Sequence, residues 1–354
     1  MSRPMPRPTR SGRLVIGGYT PDTDGSGPGL TVAGADAGGH LSVLAQAAAS
    51  GPSFVIGHPR LPLLYAVLER DEGGVAVFAD EADGPRPVAE LPSGGSSPCH
   101  LALDPEAAWL VVANYGDGTV AAFRLGPDGL PGPEPLLFRH EGGGPDPERQ
   151  EGPHAHQAVF GPGGVLHVTD LGADLVRRFL PGMRPHPGGP VRLAPGSGPR
   201  HLVHHGGHWY VAGELDGCVA VYDEGWREAG RVPASGSGER NHPSHIALSP
   251  DGRHLYVGNR GPDTVSAFEI DGPRLTPVAE TPSGGSWPRH FAIDGDLLYV
   301  ANQRSDTVSV LALKDGVPQP TGETLRVGTP SCVLPRPAAP RGVSPTRTTR
   351  SSGR

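Results

Sequence analysis

The chain has 354 residues, of which 54 are glycine, 42 are proline and 36% are hydrophobic, a balance that suits a turn-dense all-β protein and argues against a helical one. Its net charge of −7 is unevenly laid out: residues 1–13 carry four arginines, residues 335–354 carry five, neither tail has an acid, and the body holds 21 basic against 37 acidic residues. An acidic body argues against nucleic-acid binding, which needs a basic face, no apolar run approaches the ~20 residues of a membrane span, and three scattered cysteines (Cys99, Cys218, Cys332) form no disulfide framework.

Both tails read as disordered by composition, so the folded part is expected over 14–334. The first segment, LVIGGYT at 14–20 followed by LTVA at 30–33, reads as two strands with no first strand of their own. A repeat then begins. Clear copies are PCHLALDPEAAWLVVANYGDGTVAAFRL (98–125), PSHIALSPDGRHLYVGNRGPDTVSAFEI (243–270) and PRHFAIDGDLLYVANQRSDTVSVLAL (288–313), and weaker ones start at Pro52, His154 and Pro199. A seventh begins at Pro330 and stops after one strand. The third position of each copy falls at Phe54, His100, His156, His201, His245, His290 and Cys332, at intervals of 46, 56, 45, 44, 45 and 42 residues. That period fits four-stranded propeller blades of about 40–50 residues. The chain therefore reads as one seven-bladed β-propeller, with both ends sharing a blade so that no free sheet edge remains.

In a repeat, shared positions are mostly structural and exceptions are the functional candidates. The five shared histidines read as a repeated hydrogen bond between neighbouring blades, spread around a wide channel. They are not read as metal ligands, because no carboxylates recur with them. Before that position, proline gives way once to His154, and Ser, Cys or Ala gives way to Arg200 and Arg289; after it, an apolar residue gives way to Gln157. Aligning copies on their third strand places Tyr115, Leu171, Glu214, Arg260 and Gln303 at one equivalent position after the second strand. Arginines gathered in an acidic protein suit an anion, since guanidinium matches carboxylate or phosphate as a planar fork. The 56-residue interval contains EGGGPDPERQEGPHAHQ at 141–157, a loop expected to cross the propeller face. Asn114, Asn259 and Asn302 recur at one blade position and read as a repeated turn bond.

The set PERQEGPHAHQ, GPRHL, GEL, GNRG and GGSWPRHFAID with YVANQ resembles the bacterial seven-bladed propeller lactonase family. That family includes the propeller type of 6-phosphogluconolactonase and, more distantly, the fungal carboxymuconate lactonizing enzymes. The resemblance covers residues 14–334 and implies hydrolysis of a sugar lactone, typically 6-phosphogluconolactone in the pentose phosphate route. It implies a site of His154 or His156, Arg200, Glu214 and Arg260 with Arg289 nearby; Gly213 stands where family members more often carry Asn. Of these, His154, His156, Arg200 and Glu214 are the expected catalytic residues. Arg260, Arg289, Gln157, His290 and Gln303 are the expected substrate contacts. The further expectations are a small anionic lactone as partner, no cofactor or metal, a monomer or weak homo-oligomer, and a cytoplasmic location. A muconate-type cycloisomerase and a non-catalytic binding module are the alternatives.

Overall fold

The computed structural model describes residues 12–36 and 40–336; most of both arginine-rich tails lies outside them. Seven antiparallel sheets stand around one axis. Blade 1 is Val55–Gly57, Leu63–Leu68, Gly74–Glu81 and Gly84–Pro92, and blade 2 is Pro98–Leu103, Trp109–Asn114, Val120–Arg124 and Leu136–Phe138. Blade 3 is Ala155–Phe160, Leu166–Asp170, Leu175–Leu180 and Arg184–Pro185, with Val191–Arg192 as an extra strand on the third. Blades 4, 5 and 6 start with Pro199–His205, His242–Leu248 and Pro288–Asp294. Blade 7 joins Pro330–Arg336 to Arg13–Gly18, Leu30–Ala35 and Leu41–Ala47. The folded part thus extends past the expected 14–334 on both sides, since Arg13 pairs with Arg336 in the closing ladder.

Why the blades stand upright follows from their middle strands. These are apolar on both faces, and each face packs on a neighbouring blade. The result is seven apolar clusters, one per blade interface, from Leu14 and Ile16 against Tyr299 and Val308 round to Leu202 and Trp209 against Val176. A repeated tyrosine locks several interfaces. Tyr65, Tyr210 and Tyr256 are fully buried and donate their hydroxyls to the carbonyls of Gly129, Gly272 and Gly316 in the next blade, at 2.7, 2.7 and 2.9 Å. Gly272 and Gly316 sit at φ of 56° and 80°, a left-handed turn that glycine adopts without strain. The ring closure is also pinned: Arg13 from one end of the chain and Arg336 from the other both pair with Asp80 of blade 1, at 3.1 and 2.9 Å.

The axis differs from the wide channel expected. Phe54 and the five repeat histidines fill it, with ring centroids 4.1 Å apart for Phe54–His100, 5.3 Å for His156–His201, 5.1 Å for His201–His245 and 4.2 Å for His245–His290. Seven innermost strands converge closely enough that five imidazoles and one phenyl ring close the bore. Four of the imidazoles bond across a blade interface: His100 Nδ1 accepts from Ala158 N–H at 3.4 Å, His290 Nδ1 accepts from Val333 N–H at 3.3 Å, and His201 and His245 bond to each other through their Nδ1 atoms at 2.9 Å.

Candidate active site

Each blade presents the residue that follows its second strand at the same end of the ring where its first strand begins. Around that mouth these residues are Tyr19, Glu69, Tyr115, Leu171, Glu214 and Gln303, with Arg260, the last residue of the second strand His254–Arg260, at the equivalent place in blade 5. Five of the seven positions were legible from the third-strand alignment. Tyr19 and Glu69 belong to blades 7 and 1, whose copies of the repeat are too weak for the third-strand alignment to reach.

Glu214 is the centre of one side. Its carboxylate is 4% exposed and meets three guanidiniums: Arg149 Nη2 at 2.7 Å, Arg260 Nη2 at 2.7 Å and Arg200 Nε at 3.0 Å. The Arg200 Nε contact is close as an ion pair but not aligned as a hydrogen bond; its Nη1 donates to Ser244 O at 2.5 Å. Burial alone would raise the Glu214 pKa, but Arg260 and Arg200 outweigh it and hold the carboxyl well below its usual range. Burial and the neighbouring Arg260 push Arg200 down to about 9, still a cation at neutral pH. Arg260 also lies 5.4 Å from the Trp287 ring centre.

Arg149 was not singled out, although it lies in the flagged loop. Asp146 Oδ1 accepts the backbone N–H groups of Glu148 and Arg149, forming a tight turn. Buried Gln150 anchors that turn by donating to Leu171 O at 2.9 Å. The loop lies flat because Gly172 has no side chain; a Cβ there would stand 1.9 Å from Gly152 O. Arg149 Nη2 also reaches the Tyr115 hydroxyl at 3.2 Å.

His154 ends the loop. Its ring stacks on Tyr115 with centroids 4.5 Å apart, its Nδ1 is 2.7 Å from Tyr115 O, and its Nε2 is 3.2 Å from Glu151 Oε1. A carbonyl can only accept, so Nδ1 carries a proton; the Glu151 carboxylate also only accepts, so its contact forms when Nε2 is protonated, and the Nε2 lone pair is free when the exposed Glu151 side chain turns away. The backbone of His154 is fixed by Asp170 Oδ1 at 2.9 Å. His156, two residues on, is different. It is buried, and its Nδ1 has no protein partner. Burial first, then Arg200, hold its pKa well below the usual histidine range.

On the opposite side, Arg289 is held loosely, 3.6 Å from Glu69 Oε1 and 3.5 Å from Gln303 Oε1, with its guanidinium 5.1 Å from the Tyr19 ring centre. Ser53 donates to Glu69 and the Tyr19 hydroxyl bonds to it as well. Between the two sides lies a cavity of about 10 Å³, room for one water. Cys99, His156, Arg200, Arg289 and His290 are among its walls. The structure therefore gathers His154, His156, Arg200, Glu214, Arg260, Arg289, His290 and Gln303 at the mouth or just beneath it. Gln157 is placed otherwise: its side-chain oxygen accepts Leu202 N–H at 2.7 Å, so it ties blade 3 to blade 4 instead of facing a ligand. Asn259 and Asn302 donate to Ser266 and Ser309 in the third strands of their own blades at 2.8 and 3.0 Å, whereas the buried side-chain amide of Asn114 has no hydrogen-bond partner among the described residues, so the repeated turn bond expected at all three is replaced by a bond between strands at two. Among the described residues no group of three or more His, Cys, Asp and Glu side chains is arranged to hold a metal ion.

The comparisons agree with this geometry. The model of the family described as "Lactonase, 7-bladed beta-propeller" matches residues 13–335. The chain is 32% identical to the 6-phosphogluconolactonase of Bacillus subtilis over 259 residues, covering 69% of this chain and 74% of that protein. It is 30% identical to the 6-phosphogluconolactonase of Formosa agariphila over 264 residues, covering 68% and 75%. The periplasmic gluconolactonase of Pseudomonas aeruginosa superposes with a TM-score of 0.85 at 29% identity, over 91% of this chain and 98% of that one. No helix among the described residues is long and apolar enough to cross a membrane. With a matching family model, relatives of this identity and a mouth lined by histidine, arginine and glutamate, the chain belongs to the seven-bladed β-propeller lactonase family and is a lactone-hydrolysing carboxylic ester hydrolase.

Proposed function

We propose that the substrate is a phosphorylated sugar lactone, 6-phosphogluconolactone, opened to 6-phosphogluconate as in the pentose phosphate route. The observation that carries this reading is the contrast among four arginines at one mouth. Arg149, Arg200 and Arg260 all point at the one carboxylate of Glu214, which engages a donor of each, whereas Arg289 has no polar contact shorter than 3.5 Å among the described residues and keeps donors for an incoming anion. The three cysteines all stand free, as thiols do in a reducing compartment, which supports a cytoplasmic setting.

In this reading His154 is the general base. With the exposed Glu151 side chain turned away, the His154 Nε2 takes a proton from water as the water oxygen bonds to the lactone carbonyl carbon. The imidazolium so formed meets Tyr115 O and Glu151, which offset its charge. The same cation at His156 would face Arg200, Arg289 and Arg260, so His156 stays neutral and serves as a polar wall. Arg200 stabilises the oxyanion of the tetrahedral intermediate. Collapse breaks the bond from carbonyl carbon to ring oxygen, and His154 returns its proton to that oxygen. Glu214 touches no reacting atom; it holds the guanidiniums in place.

The test is a panel of lactones with and without phosphate, assayed by acid release after subtraction of the spontaneous rate. The phosphorylated sugar lactone is expected to give the highest kcat/KM, and His154→Ala to lower kcat about 10²–10⁴-fold. A preference for an unsaturated diacid would replace the hydrolase reading with a cycloisomerase. Unchanged turnover in His154→Ala would remove that residue from the chemistry.

A further inference from the structure

On the outer flank of blades 2 and 3, away from the mouth, Phe138, Arg139, His140, Arg177, Arg178 and His186 line a groove of about 380 Å³, within the range of small-molecule sites. None of its lining residues is acidic, against the composition of a body in which acids outnumber bases 37 to 21. Arg178 is answered only by the carbonyls of Gly188 and Gly189, at 3.0–3.3 Å. Arg139 is exposed and makes no ion pair among the described residues. One wall is aromatic: Phe138 lies 4.7 Å from Phe179 between centroids, and His140 lies 6.3 Å from the same ring.

We propose that this groove binds a small anion carrying a planar ring, of the nucleoside monophosphate class, and that its occupancy is felt at the active site. The ring stacks against Phe138 and His140, and the phosphate takes the free donors of Arg139 and Arg178. The link to the mouth is Arg177. It lines the groove and ion-pairs with Asp170, which is fully buried. Asp170 in turn accepts the backbone N–H groups of His154 and Ala173 at 2.9 and 3.1 Å. The groove also holds the stem of the active-site loop, since His140 Nδ1 bonds Gly118 O at 2.9 Å and Gly118 packs against Pro153. A phosphate drawing on Arg177 competes with Asp170 and loosens the fixed backbone of His154.

The experiment titrates the full chain with adenosine 5′-monophosphate, adenosine and inorganic phosphate by calorimetry, and repeats it with Arg139→Ala/Arg178→Ala and with Arg289→Ala. The monophosphate is expected to bind at least tenfold more tightly than either fragment. The groove variant should lose at least tenfold in affinity with unchanged lactone turnover, and Arg289→Ala should bind as the wild type does. In wild type, but not in the groove variant, the monophosphate should lower kcat without competing with the lactone. Equal binding of phosphate and monophosphate, full affinity in the groove variant, or purely competitive inhibition abolished by Arg289→Ala would each overturn the proposal. Tight binding with no change in turnover would overturn the coupling to His154.

Discussion

The two sides of the mouth use the same residue types to opposite effect. On one side three guanidiniums converge on Glu214 at 2.7–3.0 Å. On the other, Arg289 stands 3.6 Å from Glu69, whose carboxylate is already engaged by Ser53 and Tyr19. The first side is a network in which three guanidiniums are tied to one carboxylate, so it positions and supports. The second is held open, so it is the side that can exchange a protein contact for a ligand contact. Counting arginines near a site does not identify an anion subsite; counting the donors left over does.

This contrast can be broken from the closed side first. Glu214→Gln leaves Arg200 and Arg260 buried without a counter-charge, so it is expected to cost about 3–5 kcal/mol of stability and to abolish turnover. Urea unfolding monitored by intrinsic fluorescence measures this, and a variant as stable as the wild type would show that the network is not what holds the mouth together. Next comes the open side. Arg289→Ala is expected to leave stability nearly unchanged and to raise KM for a phosphorylated lactone roughly 10–100-fold, the range of one lost charged hydrogen-bonding partner. Its effect on the unphosphorylated lactone should be small, and an equal effect on both would move the anion subsite elsewhere.

A smaller effect sharpens the comparison beneath the mouth. Burial, and for His100 also His290, push His100 and His290 down to about 3, against about 6.5 in an unfolded chain. The folded state therefore binds fewer protons, and stability present above about pH 6.5 is lost as pH falls toward 3. Glu214, also depressed, contributes above about pH 4.3 and is lost only as pH falls through its low folded value. Between pH 6.5 and 5 the loss thus belongs to the histidines. His290→Asn is expected to flatten the dependence of unfolding free energy on pH in that window, and an unchanged slope would mean that the axis takes up protons without unfolding. The smallest expected effect is none at all. Guanidiniums at 2.7–3.0 Å from the mouth's best carboxylate repel a hard cation that would share it, so turnover should survive extensive chelation. Loss in EDTA restored by added Ca²⁺ would overturn this.

How far the sequence could be read follows from what a repeat makes visible. Blade count, ring closure and the exceptions His154, Arg200, Glu214, Arg260 and Arg289 were legible because six other copies state what each position should otherwise be. Arg149 was not, because an insertion has no counterpart in other blades to stand out from. Its placement depends on the Asp146 turn and the Gln150 anchor. Tyr19 and Glu69 were legible in principle, since both follow the second strand of their blade. Gln157 shows the opposite error. It breaks the pattern, but does so to accept a hydrogen bond from the next blade's backbone, and no pattern distinguishes a polar residue that faces a ligand from one that faces a neighbour. The filled axis was illegible for a plainer reason: the width of a bore is set by strand tilt and stagger, which a period does not report.

The closing ladder between Arg13–Gly18 and Pro330–Arg336 has a consequence for biosynthesis. The strand that completes blade 7 leaves the ribosome more than 300 residues after its partner. Through that whole interval Arg13–Gly18 has an unpaired edge, and blade 6 lacks its final neighbour. Nascent chains therefore wait with a template for strand addition exposed, which makes them clients for chaperones in a way the closed ring is not. A messenger truncated before codon 330 would yield a product that aggregates although it encodes six whole blades.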